Sequence, residues 1–136
     1  MSKRRVFLKY KYIVLLFVSL FVFSAYVFSQ SSCKVEVTVL ELIELMENED
    51  KLIILDVRNP EELVGELGHI KGVINIPVHK LEVRLSELNN YKSKIIPIIC
   101  RSGNRSGYAT TLLNRNGFTA VNVKGGMRAY NKAVKN

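Results

Sequence analysis

Apolar and polar positions divide the chain near residue 33. Residues 12–28 carry no charge and contain only two serines as polar residues, whereas the rest of the chain alternates short apolar runs with segments of helical periodicity. The uncharged run has no polar face, which excludes an amphipathic core helix there. The pattern predicts an N-terminal apolar segment over residues 1–32 and one domain over residues 33–136.

Strand and helix signals alternate along this domain. Strands are predicted over residues 35–37, 52–55, 73–76, 95–99 and 120–123. Helical segments are predicted to begin at the capping boxes Thr38–Glu41 and Asn59–Glu62, to include Leu81–Leu88, and to span Ser106–Asn116 and Met127–Val134. Alternation of this kind predicts an α/β fold: a mainly parallel central sheet flanked by helices, preceded by an N-terminal apolar signal or anchor helix.

Two residues set expected boundaries within these elements. Pro97 has no N–H for a sheet ladder, so regular pairing of the fourth strand is expected to start at or just after it. Gly117 is expected to end the helix that follows the fourth strand.

The N-terminal segment has the organisation of an export signal. A basic stretch, Lys3–Lys11, precedes the apolar run, and small polar residues follow it at 29–32. The apolar run is long for a cleaved signal and short for a spanning helix of roughly 20 residues. We therefore expect a signal peptide or an uncleaved membrane anchor that keeps Lys3–Lys11 in the cytoplasm and places the domain in the periplasm or another extracytoplasmic space. Lipidation of Cys33 is a less favoured alternative, because Gln30 stands where lipoprotein signals usually have an aliphatic residue.

Charge and composition exclude several functions. The formal net charge is +8, but five of the basic residues lie before residue 12, where there is no acidic residue. The domain itself is only modestly basic, so nucleic-acid binding is not predicted. Two cysteines and two histidines offer no zinc-site spacing, and no metal or cofactor is predicted. Residues 34–87 hold six basic and all twelve acidic side chains, whereas residues 88–136 hold nine basic and no acidic ones. This division indicates either that the two halves attract each other in the fold or that one end of the sheet favours an anion.

The loop after the fourth predicted strand carries the candidate chemistry. It consists of Cys100, Arg101, Ser102, Gly103, Asn104 and Arg105. The loop lies at the carboxyl end of a strand, where open α/β sheets bind ligands. A turn this short is expected to point backbone N–H groups at its centre, beside the positive end of the next helix. These groups stabilise a thiolate, so Cys100 is predicted to be a nucleophile, with Arg101 and Arg105 holding an anionic donor or leaving group.

Two alternatives for Cys100 stay open. Cysteine is often an inert core residue at a strand end, although the polar and basic residues beside it argue against that interpretation. A disulfide between Cys33 and Cys100 is the second, since an exported domain meets an oxidising environment.

Taken together, these motifs resemble a single-domain rhodanese over about residues 36–133. The matching segments, in the family order, are 55–62, 68–70, 75–77, the Cys100 loop and 125–127. Three departures are interpreted as packing changes: Leu63 in place of an aromatic residue, additional residues at Gly65–Leu67, and Tyr130 in place of Trp.

The resemblance implies a thiosulfate sulfurtransferase-like enzyme. Cys100 would take a sulfane sulfur from thiosulfate or a related small anionic donor and become a persulfide. It would then pass the sulfur to a thiophilic acceptor such as cyanide, a small thiol or a protein thiol. Residues Arg101–Arg105 correspond to the substrate-binding loop of the family. The alternatives are a non-catalytic rhodanese-like binding module and, less favoured, a cysteine-dependent phosphatase or arsenate reductase, whose loop has one residue more before its arginine.

Neighbouring residues are assigned supporting roles. Asp56 and Arg58 are expected to anchor the next helix, with Arg58 forming an ion pair with Glu61 or Glu62. His69 is assigned a structural role, because sulfur transfer needs no base when the thiolate is preformed. The pair 125–126 is expected to form a tight turn whose backbone approaches the cysteine loop.

Overall fold

The computed structural model describes Ser19 and residues 35–49 and 51–135. The chain divides into two units, Met1–Cys33 and Lys34–Asn136. Apart from Ser19, the expected signal or anchor segment lies outside the described residues, and so does Cys33, the site of the less favoured lipidation. Within the described ranges, no helix is long and apolar enough to cross a membrane.

The second unit alternates strands with helical segments. The strands are β1 (Glu36–Val37), β2 (Leu55–Asp56), β3 (Ile74–Asn75), β4 (Ile95–Ile99) and β5 (Thr119–Val123). The α-helices are α1 (Val39–Asn48), α2 (Pro60–Leu63), α3 (Asn104–Arg115) and α4 (Gly126–Val134), and 3₁₀ helices cover Val78–Lys80 and Glu82–Tyr91.

The strands form a five-stranded sheet in the order β1-β5-β4-β2-β3, and every pair in it is parallel. The predicted α/β class with a parallel central sheet is therefore confirmed. Strand β4 lies in the middle, between β5 and β2. The residues that follow β4 consequently lie between the carboxyl ends of β5 and β2.

Alternate strand residues enter two separate cores. Leu55, Ile98 and Ala120 pack on one face of the sheet with helix α3 and the longer 3₁₀ helix. Their chain neighbours Ile54, Ile99 and Val121 pack on the other face with helices α1 and α4. Burial on both faces explains why the strand sequences are continuous apolar runs rather than alternating apolar and polar residues.

Both predicted capping boxes are confirmed. The Glu41 carboxylate accepts the Thr38 N–H at 2.7 Å, and the Thr38 hydroxyl accepts the Glu41 N–H at 3.2 Å. At the start of α2, the Glu62 carboxylate accepts the Asn59 N–H at 3.2 Å, and Pro60 takes the first helical position. These bonds satisfy backbone donors that a helix start leaves without partners.

Pro97 affects the pairing of β4 with β2 but not its pairing with β5. Toward β2 the ladder begins at Ile98, as predicted, but toward β5 it already begins at Ile95. The Ile99 carbonyl accepts the Val57 N–H, so the backbone of Pro97, two residues earlier, also faces β2. The missing N–H therefore interrupts only that ladder.

Two helices differ from expectation. The segment with Leu81, Leu85 and Leu88 does pack its leucines on the core, but it is a 3₁₀ helix rather than an α-helix. Helix α3 begins at Asn104, two residues before the predicted start, because Gly103 at φ 105° is its N-cap. Its predicted end is confirmed by Gly117 at φ 79°, one residue beyond the C-cap.

The turn Gly125–Gly126 lies against the cysteine loop, as predicted. The N–H groups of Met127 and Arg128 donate to the carbonyls of Cys100 and Arg101 at 2.8 and 3.1 Å. A Cβ on Gly126 would overlap the Cys100 carbonyl oxygen and lie 2.8 Å from the Arg101 carbonyl carbon. Only glycine permits this approach, and the φ of 57° at Gly126 adds a second reason.

We predict that Gly126→Ala lowers the free energy of unfolding by about 2–5 kcal/mol, because overpacking against the loop adds to left-handed backbone strain. Gly68→Ala is the matched control, since Gly68 has a φ of 54° and a Cβ added there would have nothing within 4 Å. This control is expected to lose about 1 kcal/mol. Urea unfolding of both variants measures the difference, and equal losses would show that the overlap is unimportant.

Candidate active site

Cys100 lies at the centre of the carboxyl edge of the sheet. It directly follows β4, its residue is 1% exposed, and it is a free cysteine. Its Sγ accepts the Gly103 N–H at 3.1 Å and lies 3.2 Å from the Ser106 hydroxyl oxygen. The sulfur therefore has hydrogen-bond donors from both the loop and the first turn of helix α3.

The conformation of Gly103 produces this arrangement. Its left-handed backbone turns the loop back over the sulfur, and its carbonyl accepts the Gly107 N–H at 2.9 Å to begin helix α3. Ser106 sits in the first helical turn, where side chains point back toward the helix N-terminus. The Ser106 hydroxyl oxygen is also 3.1 Å from the Gly103 carbonyl oxygen. The hydroxyl has one hydrogen to donate, and a charged thiolate accepts a stronger hydrogen bond than a neutral carbonyl does.

Two opposing influences set the pKa of Cys100. Burial is the largest, and alone it would raise the pKa because a charged thiolate loses its hydration. The Ser106 hydroxyl and the backbone N–H groups of Ser106, Ser102 and Gly103 act in the opposite direction by hydrogen bonding to the sulfur. Together they prevail, and the pKa of Cys100 lies below its ordinary value.

The other predicted loop residues occupy distinct positions. Arg101, Ser102 and Asn104 are exposed, whereas Gly103 is buried. Arg105 is only partly exposed and is engaged by Glu62, whose two carboxylate oxygens accept from Nη1 and Nη2 of Arg105 at 2.6 and 2.8 Å. Both terminal nitrogens of Arg105 are thus engaged by Glu62, so an anionic donor would compete with this carboxylate for Arg105.

Glu62 stays ionised in this pair. The hydrogen bond from Arg105 is the largest influence and lowers the pKa of Glu62 to about 2, against the opposing effect of burial. The Asn59 N–H contributes in the same direction as Arg105. At neutral pH both partners of the ion pair are therefore charged.

Arg58 does not make the carboxylate pairs expected of it. It is fully buried and bonds the Asp56 carboxylate through Nε at 3.0 Å and Nη2 at 2.6 Å. It reaches α2 only through the main-chain carbonyl of Glu62, at 3.2 Å, and it also donates to the Gly68 carbonyl at 2.8 Å. A buried guanidinium requires a buried counterion and partners for its remaining N–H groups, and these contacts supply both.

His69 is consistent with its assigned structural role. The ring is exposed, and its Nδ1 lies 3.1 Å from the Leu63 carbonyl oxygen. That contact ties the end of α2 to the segment that follows it.

Two depressions border the cysteine loop. One of about 170 Å³ is lined by Arg58, Glu62, Gly65, Glu66, Leu67 and Arg101. The other, of about 430 Å³, is lined by Val78, His79, Glu82, Asn104, Arg105, Tyr108 and Leu112. The departure at Gly65–Leu67, interpreted from sequence as a packing change, contributes directly to the wall beside Arg101.

Ser106 and Glu62 belong to this site although the sequence prediction did not include them. A hydroxyl residue in the first turn of a helix that starts at a nucleophile loop is a usable signal for Ser106. No comparable signal exists for Glu62, because it lies 43 positions from Arg105 and its local pattern already explains it as a helix cap.

Comparison with known proteins identifies the family. The family model of the rhodanese-like domain matches residues 38–133. A putative sulfur carrier protein of Bacillus subtilis is 43% identical over 86 residues, which are 62% of this chain and 44% of that protein. The thiosulfate sulfurtransferase PspE of Escherichia coli is 34% identical over 74 residues, covering 54% of this chain and 69% of PspE.

Solved structures give the same family. A rhodanese-like domain protein from Staphylococcus aureus superposes with a TM-score of 0.64 at 35% identity, covering 70% of this chain and 89% of that one. A human single-domain sulfurtransferase superposes with a TM-score of 0.62 at 28% identity, covering 72% of this chain and 96% of that one. The chain spans less than half the length of some curated relatives, including the sulfur carrier at 44%.

We predict that Ser106→Ala raises the pKa of Cys100, because the thiolate loses a donor while burial stays the same. The pH profile of alkylation by iodoacetamide should move to higher pH, and the rate at neutral pH should fall severalfold. Ser102→Ala is the control, since that side chain is exposed and its backbone N–H is retained. Identical profiles for the two variants would show that the Ser106 hydroxyl does not act on the sulfur.

Proposed function

The chain belongs to the family of rhodanese-like domains, and we propose that it is a sulfurtransferase in which Cys100 carries the transferred sulfur as a persulfide. The observation that carries this proposal is the thiol of Cys100, with its lowered pKa, at the end of β4 within reach of the Gly103 N–H and the Ser106 hydroxyl. Relatives named as a sulfurtransferase and a sulfur carrier support sulfur as the transferred group. The donor is a compound with a sulfane sulfur, and thiosulfate is the simplest one with which to test the transfer.

In the first step, the Cys100 thiolate attacks the outer sulfur of the donor. A new S–S bond forms to Cys100, the donor's own bond to that sulfur breaks, and the leaving group departs with the electron pair. With thiosulfate, the leaving group is sulfite. The backbone N–H groups around the loop and the positive end of α3 stabilise the negative charge that the persulfide then carries. No external oxidant is required.

In the second step, a thiophilic acceptor attacks the terminal sulfur of the persulfide. Cyanide, a small thiol or a protein thiol can serve, and the Cys100 thiolate leaves with the electrons of the broken S–S bond. A thiol of low pKa leaves readily, so the same hydrogen bonds that activate Cys100 as a nucleophile also assist its release. The enzyme returns to its starting state without a proton donor at the sulfur.

We predict that incubation with thiosulfate adds one sulfur atom, about 32 Da, to the protein, and that cyanide removes it again. Intact-protein mass spectrometry measures both changes. Cys100→Ser should show no adduct, whereas Cys33→Ser should retain it and so identifies the reactive cysteine. A wild-type protein that neither thiosulfate nor an alkyl persulfide modifies would favour a rhodanese-like module that only binds a partner.

We also propose that residues 1–32 export the domain or hold it at a membrane. The support is the sequence alone: a basic head, an uncharged run over residues 12–28 and a short tail of small polar residues. On this proposal, the sulfur chemistry takes place in the periplasm or another extracytoplasmic space, where the donor and acceptor must be available.

We predict that cell fractionation finds the domain outside the cytoplasm and that the intact mass of the purified protein identifies how it is processed. Loss of the mass of residues 1–32 indicates cleavage, an added lipid mass indicates modification at Cys33, and the full-length mass in the membrane fraction indicates an anchor. Replacing the five basic residues of this stretch, Lys3, Arg4, Arg5, Lys9 and Lys11, with glutamates should retain the protein in the cytoplasm. Full-length wild-type protein in the cytoplasm would contradict the proposal.

A further inference from the structure

Three guanidinium groups border the cysteine loop, but two of them are already paired. Arg58 is held by the buried Asp56 carboxylate, and Arg105 is held by Glu62. In the part of the chain that the structure describes, Arg101 alone among the three makes no ion pair. The charge available to an incoming anion is therefore much smaller than the sequence of the loop indicates.

Several hydrogen bonds fix the ion pair between Arg105 and Glu62. It is bidentate, and the same Glu62 oxygen that accepts from Arg105 at 2.6 Å also accepts the Asn59 N–H at 3.2 Å. The carboxylate is thus held at the start of α2 independently of its contact with Arg105. To bind Arg105 in the same bidentate way, an anionic donor would have to displace this carboxylate from two aligned hydrogen bonds.

The approach to Arg101 is also lined by carboxylates. Glu62 and Glu66 form part of the depression of about 170 Å³ that includes Arg101. A negative charge that enters it is attracted by the unpaired Arg101 and repelled by Glu66, whereas Glu62 cancels most of the attraction that Arg105 would add. The repulsion grows with the charge of the ligand, so a donor with two negative charges is penalised more than a donor with one.

We propose that Glu62 is a specificity-determining residue that selects the sulfur donor by its charge. Resting on the sulfurtransferase function proposed above, this inference names the donor class: organic persulfides with at most one negative charge are used in preference to dianions such as thiosulfate. Glu62 acts by withholding Arg105, and Glu66 contributes to the same repulsion more weakly because it is exposed and makes no pair with Arg105.

The transfer step balances for this donor class. The Cys100 thiolate attacks the terminal sulfur of a persulfide RSSH, the bond to that sulfur forms as the RS–SH bond breaks, and RS⁻ leaves with the electron pair. The hydrogen stays on the transferred sulfur, so the leaving group carries a single charge. Thiosulfate instead releases sulfite, whose higher charge needs cations that Glu62 keeps occupied.

The first test measures the electrostatic potential at Cys100 without any turnover. Alkylation by anionic iodoacetate is compared with alkylation by neutral iodoacetamide, since their rate ratio cancels differences in thiolate content. Glu62→Gln should raise that ratio about three- to fivefold at low ionic strength, and the increase should shrink at 1 M salt, where the Debye length is about 3 Å. Glu61→Gln is the matched control, because it removes the same charge from an exposed neighbouring position of α2.

The second test compares donors. Glu62→Gln should improve kcat/KM for thiosulfate relative to a low-molecular-weight alkyl persulfide by a similar or larger factor, mainly through KM. Glutamine retains an acceptor for the Asn59 N–H, and thermal unfolding checks that α2 is intact. Should Glu62→Gln fold poorly, Glu66→Gln provides a smaller shift in the same direction without touching the ion pair.

The outcomes separate this inference from the function it rests on. An unchanged alkylation ratio in Glu62→Gln, or an equal change in Glu61→Gln, overturns the role of Glu62 even where Cys100 still forms a persulfide. Preference of the wild type for thiosulfate over the alkyl persulfide overturns the donor class. Failure of every donor to modify Cys100 instead contradicts the sulfurtransferase function, whereas the alkylation ratios still report the effect of Glu62 on charge.

Discussion

The hydrogen bonds to the Cys100 sulfur are the interaction on which the site depends. Burial favours a neutral thiol, and only donors within about 3 Å of the sulfur reverse that preference. Gly103 and Ser106 supply the closest ones. Three features of the fold meet this requirement: a buried strand delivers the sulfur to the edge of the sheet, a left-handed glycine turns the loop, and a helix begins at once behind it.

The loop keeps this shape because helix α4 holds it through backbone hydrogen bonds. Helix α4 donates two backbone N–H groups to the carbonyls of Cys100 and Arg101, and those bonds turn the amides of the loop toward the sulfur. Beside the loop, the Asn75 side chain donates to the carbonyls of Asp56 and Arg58 and so ties β3 to β2. Preorganised dipoles of this kind need no rearrangement when the sulfur becomes charged, which is the condition for effective electrostatic catalysis.

Charge balance gives the site its second property. The chain concentrates basic residues in its last third, yet two of the three guanidiniums that border the cysteine loop are paired with carboxylates from residues 34–87. The rhodanese-like loop of this chain therefore has one unpaired arginine rather than a cluster. Membership of the family establishes the scaffold and the class of chemistry, whereas the choice among donors depends on side chains such as Glu62 and Glu66 that surround the loop.

The order of elements, both capping boxes, the parallel sheet and the position of Cys100 after a buried strand were determined by the sequence, because each follows from short-range patterns and steric rules. The Gly125–Gly126 turn was predictable for the same reason. The tertiary structure alone decided which side of β4 Pro97 interrupts, that Arg58 turns inward to Asp56, and that Arg105 pairs with a carboxylate 43 positions away. Those outcomes depend on which elements become neighbours in space, and an ion pair between distant residues leaves no periodicity in the chain that encodes it.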